Sequence, residues 1–169
     1  MVLRHDLVSQ IPSLKKKYLK YENYKDQTIT DMFTPDQLKN AIKLDAYQFA
    51  SVVLLNDGQA RFTAKVLPVE AQVSPVYGIE MADMDGDGNT DILLGGNLYR
   101  AKPEIGRYDA SYGVFLKGDG KANFTPVPAN ESGVWINGEV RDITIVRTNK
   151  GEIILVARNN DSILSFKKK

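Results

Sequence analysis

The stretch VYGIEMADMDGDGNTDILLGGN, residues 76–97, sets strand-like sequence on both sides of an acidic loop. Asp83, Asp85, Asp87, Asn89 and Asp91 fall at positions 1, 3, 5, 7 and 9 of that loop, with Gly86 and Gly88 between them. Alternate residues of a tight loop point the same way, and glycine relieves the positive-φ cost of wrapping backbone round an ion. Four carboxylates this close repel one another, so something must compensate them. Hard oxygen donors without His or Cys select calcium over zinc or copper. The spacing therefore predicts one calcium, held by the carboxylates of Asp83, Asp85 and Asp87 and the backbone carbonyl of Asn89, with Asp91 closing the site. The competing reading is an acidic β-turn without metal, which would leave its carboxylates uncompensated. An EF-hand would require a bidentate Glu at position 12 and helices on both flanks. Position 12 is Leu94, and GIEMA and ILLGG read as strands, so the EF-hand and the helical dockerin loop both fit poorly.

Working outward from the loop, the chain from Tyr47 onward consists of short alternating or β-branched runs punctuated by Gly, Asp, Asn and Pro. Nine strands are predicted: FASVVLL, RFTAKVL, VYGIEMA, DILLGG, YGVFLK, FTPVP, VRDITIV, EIILVA and SILSFKK. An internal repeat underlies them. SVVLLNDGQARFT from Ser51 aligns with GVFLKGDGKANFT from Gly113, so Asp57 meets Asp119, Gly58 meets Gly120 and Phe62 meets Phe124 at an offset of 62 residues. The same offset sets DILLGGN on IILVARN, with Asn97 on Asn159, and sets the acidic loop on IVRTNKGEI. The later loop, VRTNKGE at 146–152, has lost the acidic residues, which predicts one calcium and not two. Units of about four antiparallel strands suggest propeller blades, of which typically 4–8 surround a central channel. Four units of 62 residues would need 248, and 169 are present. The expected fold is mainly β, a partial β-propeller of about two and a half blades, with a helical segment at 1–45. The blades are expected within 46–169, as a hairpin at 46–68, the calcium-loop blade at 74–128 and an incomplete last blade at 138–169.

In the first 45 residues, Leu14, Tyr18, Tyr21 and Ile29 recur at roughly helical spacing amid Lys and Glu, predicting one or two amphipathic helices. A short further helix should follow in TPDQLKNAI, with Thr34 as N-cap, Pro35 at the first helical position and Gln37 completing a capping box. Lys and Arg number 22 against 21 Asp and Glu, a near-neutral balance that offers no basic field for nucleic acid. The absence of cysteine excludes disulfides, zinc-thiolate sites and thiol nucleophiles. The N-terminus MVLRHDLVSQIPSLKKK has no apolar export-signal core, and no window approaches the ~20 apolar residues of a membrane helix. Either the protein is cytosolic or the chain begins downstream of its signal.

VYGIEMADMDGDGNTDILLGGN resembles an FG-GAP or VCBS repeat of the integrin α-subunit propellers. Tyr77-Gly78 stands where that family has Phe-Gly, Asp83 to Asp91 is its calcium loop, and Gly95-Gly96-Asn97 occupies the divergent Gly-Ala-Pro end. IPSLKKKYLKYENYKDQTITDMF and GRYDASYG are similar to the C-terminal stretch of bacterial VCBS-repeat proteins akin to cartilage acidic protein, so the resemblance spans nearly the whole chain. It implies an exported, extracytoplasmic, calcium-stabilised and non-catalytic scaffold that binds protein or glycan, with the helical segment inserted within a blade. Open sheet edges in such a fragment would permit a homodimer.

Other candidates are few. His5 is the single histidine and sits in a charged segment, where a surface role is expected. Arg107, Tyr108 and Asp109 in GRYDASYG are of the kind found in sugar-binding or catalytic loops. A structural loop with a buried Arg107–Asp109 pair or a tyrosine hydrogen bond is the plainer expectation. Trp135 offers a ligand platform if exposed, but burial against a neighbouring blade is expected. The alternative function is a polysaccharide-cleaving enzyme that uses these loop residues or a site outside this chain.

Overall fold

A computed structural model describes residues 3–168. The chain divides into two compact units, Met1–Tyr47 and Gln48–Lys169.

The first unit is built from short pieces: α1 (Arg4–Gln10), α2 (Ile29–Met32) and α3 (Pro35–Leu38), with single tight turns at Pro12–Lys15 and Tyr21–Asn23. The longer helices expected across Leu14 to Ile29 are absent. Upstream of that stretch Pro12 stops α1, because proline lacks the helical N–H and pushes the residue before it out of the helical region. Ile11, at φ −128° and ψ 81°, ends α1 there. Leu14 and Tyr18 are buried together with Tyr24, and the two tyrosine rings meet edge to face at 5.7 Å. Tyr21 and Ile29, assigned by periodicity to the same face, are exposed. The helix at Pro35 forms as predicted. Gln37 Oε1 accepts the Thr34 N–H at 2.9 Å, and the Gln37 N–H reaches Thr34 Oγ1 at 3.4 Å.

The second unit is mainly β, with three antiparallel sheets. β1 (Val52–Asn56) and β2 (Phe62–Val66) form a hairpin. β3 (Val76–Ala82), β4 (Asp91–Gly96), β5 (Val114–Gly118) and β6 (Phe124–Val127) form a four-stranded sheet in sequence order. β7 (Val140–Thr148), β8 (Gly151–Arg158) and β9 (Leu164–Lys167) form the third. All nine predicted strands are present.

The 62-residue offset is visible in the geometry. Gly58 and Gly120 both have positive φ, as do Ala60 and Ala122. Asp57 Oδ1 accepts the Gln59 and Arg61 N–H groups, and Asp119 Oδ1 accepts those of Lys121 and Asn123. At the other end, the Asn97 N–H donates to Pro75 O at 3.1 Å and the Asn159 N–H to Glu139 O at 2.8 Å. These acceptors are 64 residues apart, not 62. The sequence alignment therefore needs one correction. Ala82 pairs with Asp91, whereas Val146 pairs with Ile153, so the turn of the third sheet is two residues shorter than the acidic loop.

β4 is buried along its whole length, because both faces of the sheet are covered. Ile92 and Leu94, with Leu116, pack against Ala71 and Leu67, which follow the β1–β2 hairpin. Leu93 points the other way, into a core with Met84, Ile136, Val140, Ile143, Ile154 and Val156. Gly78 and Gly95 face each other in register across β3 and β4 and leave bare backbone there. A Cβ on Gly78 would lie 2.7 Å from Ile143 Cγ1, and one on Gly95 would lie 2.8 Å from Val140 Cγ1. The glycine pair thus seats β7 directly on the second sheet. The two sheets are closest along β3, β4 and β7. Between β5–β6 and β8–β9 they flank an open pocket of about 560 Å3, walled by Phe115, Val127, Ile154 and Phe166 among others.

Candidate functional site

The acidic loop joins β3 to β4, and its two ends are pinned in the core. Met84 is buried between the sheets, and its N–H donates to Asp91 Oδ2 at 2.9 Å. Asp91 is fully buried, and its Oδ1 accepts the Gly118 N–H of β5 at 2.9 Å. Gly86 and Gly88 take φ of 80° and 87°, turning the chain so that their N–H groups point inward at Asp83. Gly86 donates to Asp83 Oδ1 at 2.7 Å and Gly88 to Asp83 Oδ2 at 3.0 Å. The Asp87 N–H donates to Asp85 Oδ1 at 3.1 Å, and that of Asn89 to Asp87 Oδ1 at 2.9 Å. Asp83, Asp85 and Asp91 each bring one carboxylate oxygen to within 4.8 Å of the others, a group that could hold a metal ion. Among the described residues it is the one such group of His, Asp or Glu side chains.

One predicted ligand sits differently. Asp87 stands outside that trio, and its Oδ2 accepts from Lys117 Nζ at 2.9 Å. The Asn89 side chain lies against Gly120 of the β5–β6 turn. Lys117 also pairs with Asp85 Oδ2, so one ammonium bridges two loop carboxylates. These two carboxylates, Asp85 foremost, hold the Lys117 pKa above its ordinary value. In return Lys117, followed by the Asn89 N–H, holds Asp87 below the usual carboxylate range. The protein itself therefore supplies the compensation that the sequence reading assigned to metal alone. The missed signal was strand register. β5 pairs Leu116 with Ile92, which brings Lys117 beside the end of the loop.

The donor set fits calcium. Every candidate ligand is a hard oxygen, the buried Asp91 is fixed by two backbone N–H groups, and Asp85 and Asp87, paired with Lys117, stand on the exposed side of the loop. In the third sheet the equivalent turn is closed by Thr148 Oγ1 donating to Gly151 O at 2.7 Å and by an Arg147–Glu152 pair at 2.9 Å.

β3 and β5 run toward the acidic loop and β4 and β6 away from it, so the 97–113 and 128–139 connections lie at the opposite end of the sheet. The candidate residues thus form two separate places. The Arg107 guanidinium lies over the Tyr99 ring at 5.1 Å, and the Tyr99 hydroxyl donates to Asp109 Oδ1 at 2.8 Å. The hydroxyl comes from Tyr99, outside the 106–113 loop in which the tyrosine bond is expected, and Asp109 is exposed and not buried. Burial, and then the bond to Asp109, raises the Tyr99 pKa. Tyr108 pairs with Leu98 through two backbone hydrogen bonds. Trp135 is 59% exposed, which overturns its expected burial, and it stacks on Tyr112 with ring centres 4.5 Å apart. The neighbouring Ile136 takes the buried position instead, its N–H bonded to Tyr112 O at 2.8 Å. His5, in the first unit, is exposed and contacts Asp6 and the Tyr21 hydroxyl.

Two buried polar residues of this end carried no sequence signal for their role. Asn97 Nδ2 donates to Ser111 O at 2.7 Å and Gly138 O at 3.1 Å, stapling the 97–113 connection to the 128–139 connection. Glu139, only 2% exposed, accepts the Tyr99 N–H at 2.9 Å, the Arg141 guanidinium at 2.7 Å and the Asn159 amide. Arg141 in turn lies over the Tyr77 ring at 4.7 Å. No described helix is long and apolar enough to cross a membrane. Comparison with protein-family models, with curated proteins and with solved structures finds no match to this chain.

Proposed function

We propose that the chain is a calcium-bearing fragment of an FG-GAP/VCBS β-propeller, part of an exported, non-catalytic scaffold that binds protein or glycan. The observation that carries this reading is the acidic loop at the first turn of a four-stranded antiparallel sheet, joined to the next sheet through Gly78 and Gly95. Those glycines belong to the motif ends on which the resemblance rests, and the close approach of β7 gives each a physical reason. Sheets that meet at their first strands and separate toward their last suit blades set round an axis. On this reading the two-stranded and three-stranded sheets are the incomplete first and last blades. One calcium binds at Asp83, Asp85 and Asp91, with Asp87 and Asn89 completing the shell, and stabilises the fold because it binds only the folded form. The ligand surface is the aromatic end, with Arg107, Tyr108, Asp109 and Trp135.

Calorimetric titration of calcium into metal-stripped protein, with melting curves with and without calcium, tests the metal. Calcium should raise the melting temperature, and Asp87→Ala should shrink that rise; no heat and no shift would overturn the reading. A glycan array followed by product analysis of any hit tests the rest. Polysaccharide turnover that disappears in Asp109→Asn would establish the enzyme alternative instead.

A further inference from the structure

We propose that Lys117 is a built-in competitor for the metal loop, its ammonium holding the cation position between Asp85 and Asp87 until a divalent ion displaces it. The inference rests on the calcium reading above and concerns what sets the affinity of that site. Asp85 Oδ2 is a member of the candidate ligand group and is also the oxygen that Lys117 engages. Asp87 Oδ2 is likewise taken up by Lys117, at 2.9 Å. An ion entering among Asp83, Asp85 and Asp91 meets a positive charge one carboxylate away, and like charges at that range repel. Binding therefore includes breaking two ion pairs and moving the ammonium.

The side chain can move. It is 43% exposed, on a flexible four-carbon stem, and it forms part of the wall of the open 560 Å3 pocket that Glu131 also lines. In the absence of metal the ammonium supplies the counter-charge that keeps Asp85 and Asp87 together. The device thus lowers calcium affinity while sparing the loop from self-repulsion when calcium is scarce. In the third sheet Phe166 stands where the second sheet has Leu116 and Lys167 where it has Lys117, but the turn there holds no Asp, and its one carboxylate, Glu152, is taken up by Lys168 at 2.6 Å and Arg147 at 2.9 Å.

The test is calcium titration calorimetry on the metal-stripped full chain for wild type, Lys117→Met, Lys117→Gln and Lys117→Arg. The two neutral variants should bind on the order of tenfold more tightly at low salt, and Lys117→Arg within about threefold of wild type. The neutral variants should also melt lower without calcium and gain more from its addition. The paired neutral substitutions guard against one failing to fold. Heat from wild type with equal or weaker binding by folded neutral variants overturns the competitor role alone. No heat from any of the four overturns the calcium reading, and the competitor role with it.

Discussion

Gly95→Ala probes the contact that joins the second and third sheets. The new Cβ would stand 2.8 and 3.0 Å from the two γ-carbons of Val140 and 3.1 Å from Ile143 Cδ1. Gly95 does not have a positive φ, so backbone strain does not contribute. Overpacking of this kind costs about 1–3 kcal/mol. The stiffer unfolded chain offsets about 0.4–1 kcal/mol of that, leaving a net loss of about 1–2 kcal/mol. Val140 is 1% exposed, and Val140→Ala deletes two buried methyl groups at a cost of about 1–3 kcal/mol. The two changes act on the same space. In the double variant the alanine methyl at 95 occupies room vacated at 140, so the combined loss should fall short of the sum by about 1 kcal/mol or more. Urea unfolding at fixed calcium, followed by fluorescence, measures all three. Trp135 is the chain's single tryptophan and lies in the β unit, so the signal reports that unit. Midpoints are compared at a common slope. Losses that add within about 0.3–0.5 kcal/mol would show that residues 95 and 140 do not share a contact, and would refute the packing of β7 on the glycine pair.

Glu139→Gln should destabilise the β unit by about 1–3 kcal/mol, because a buried acceptor of three donors gains an N–H of its own; a urea midpoint unchanged from wild type would remove the network from the account. Asp119 is held at a pKa of about 2, first by the Asn123 side-chain amide and then by the Asn123 and Lys121 N–H groups. Its folded pKa lies below the unfolded value of about 3.9, so its stabilisation is complete above about pH 4 and is lost as pH falls through about 2. In chelator, the melting gap between wild type and Asp119→Asn should therefore narrow between pH 5 and pH 2, and a constant gap would contradict the assigned bonds. β1 and β9 each pair on one side only, and open edges recruit partners. Light scattering should find a dimer, either in the intact chain or once residues 1–45 are deleted; a soluble monomer in both would argue against open edges.

The strands were legible in the sequence because each depends on local facts. Alternating or β-branched residues favour extended chain, and Asp-Gly and Asn-rich stretches supply the turns, so DILLGG and GVFLK announce themselves without reference to the rest of the molecule. The Thr34–Gln37 capping box and the acidic loop are local in the same sense, since their donors and acceptors lie within a few residues. Helical periodicity misled at Tyr21 and Ile29 because a spacing of apolar residues does not ensure a continuous helix, and here only the short turns Pro12–Lys15 and Tyr21–Asn23 precede α2. What tertiary structure decided involves residues far apart in the chain. Lys117 reaches Asp85 across 32 positions, Asn97 reaches Gly138 across 41, and Gly95 is demanded by Val140, which a sequence read strand by strand cannot connect. Trp135 shows the same limit. Alternation says only that Trp135 and Ile136 point opposite ways, and the sheet they pack against selects Ile136 for the core and leaves the indole outside.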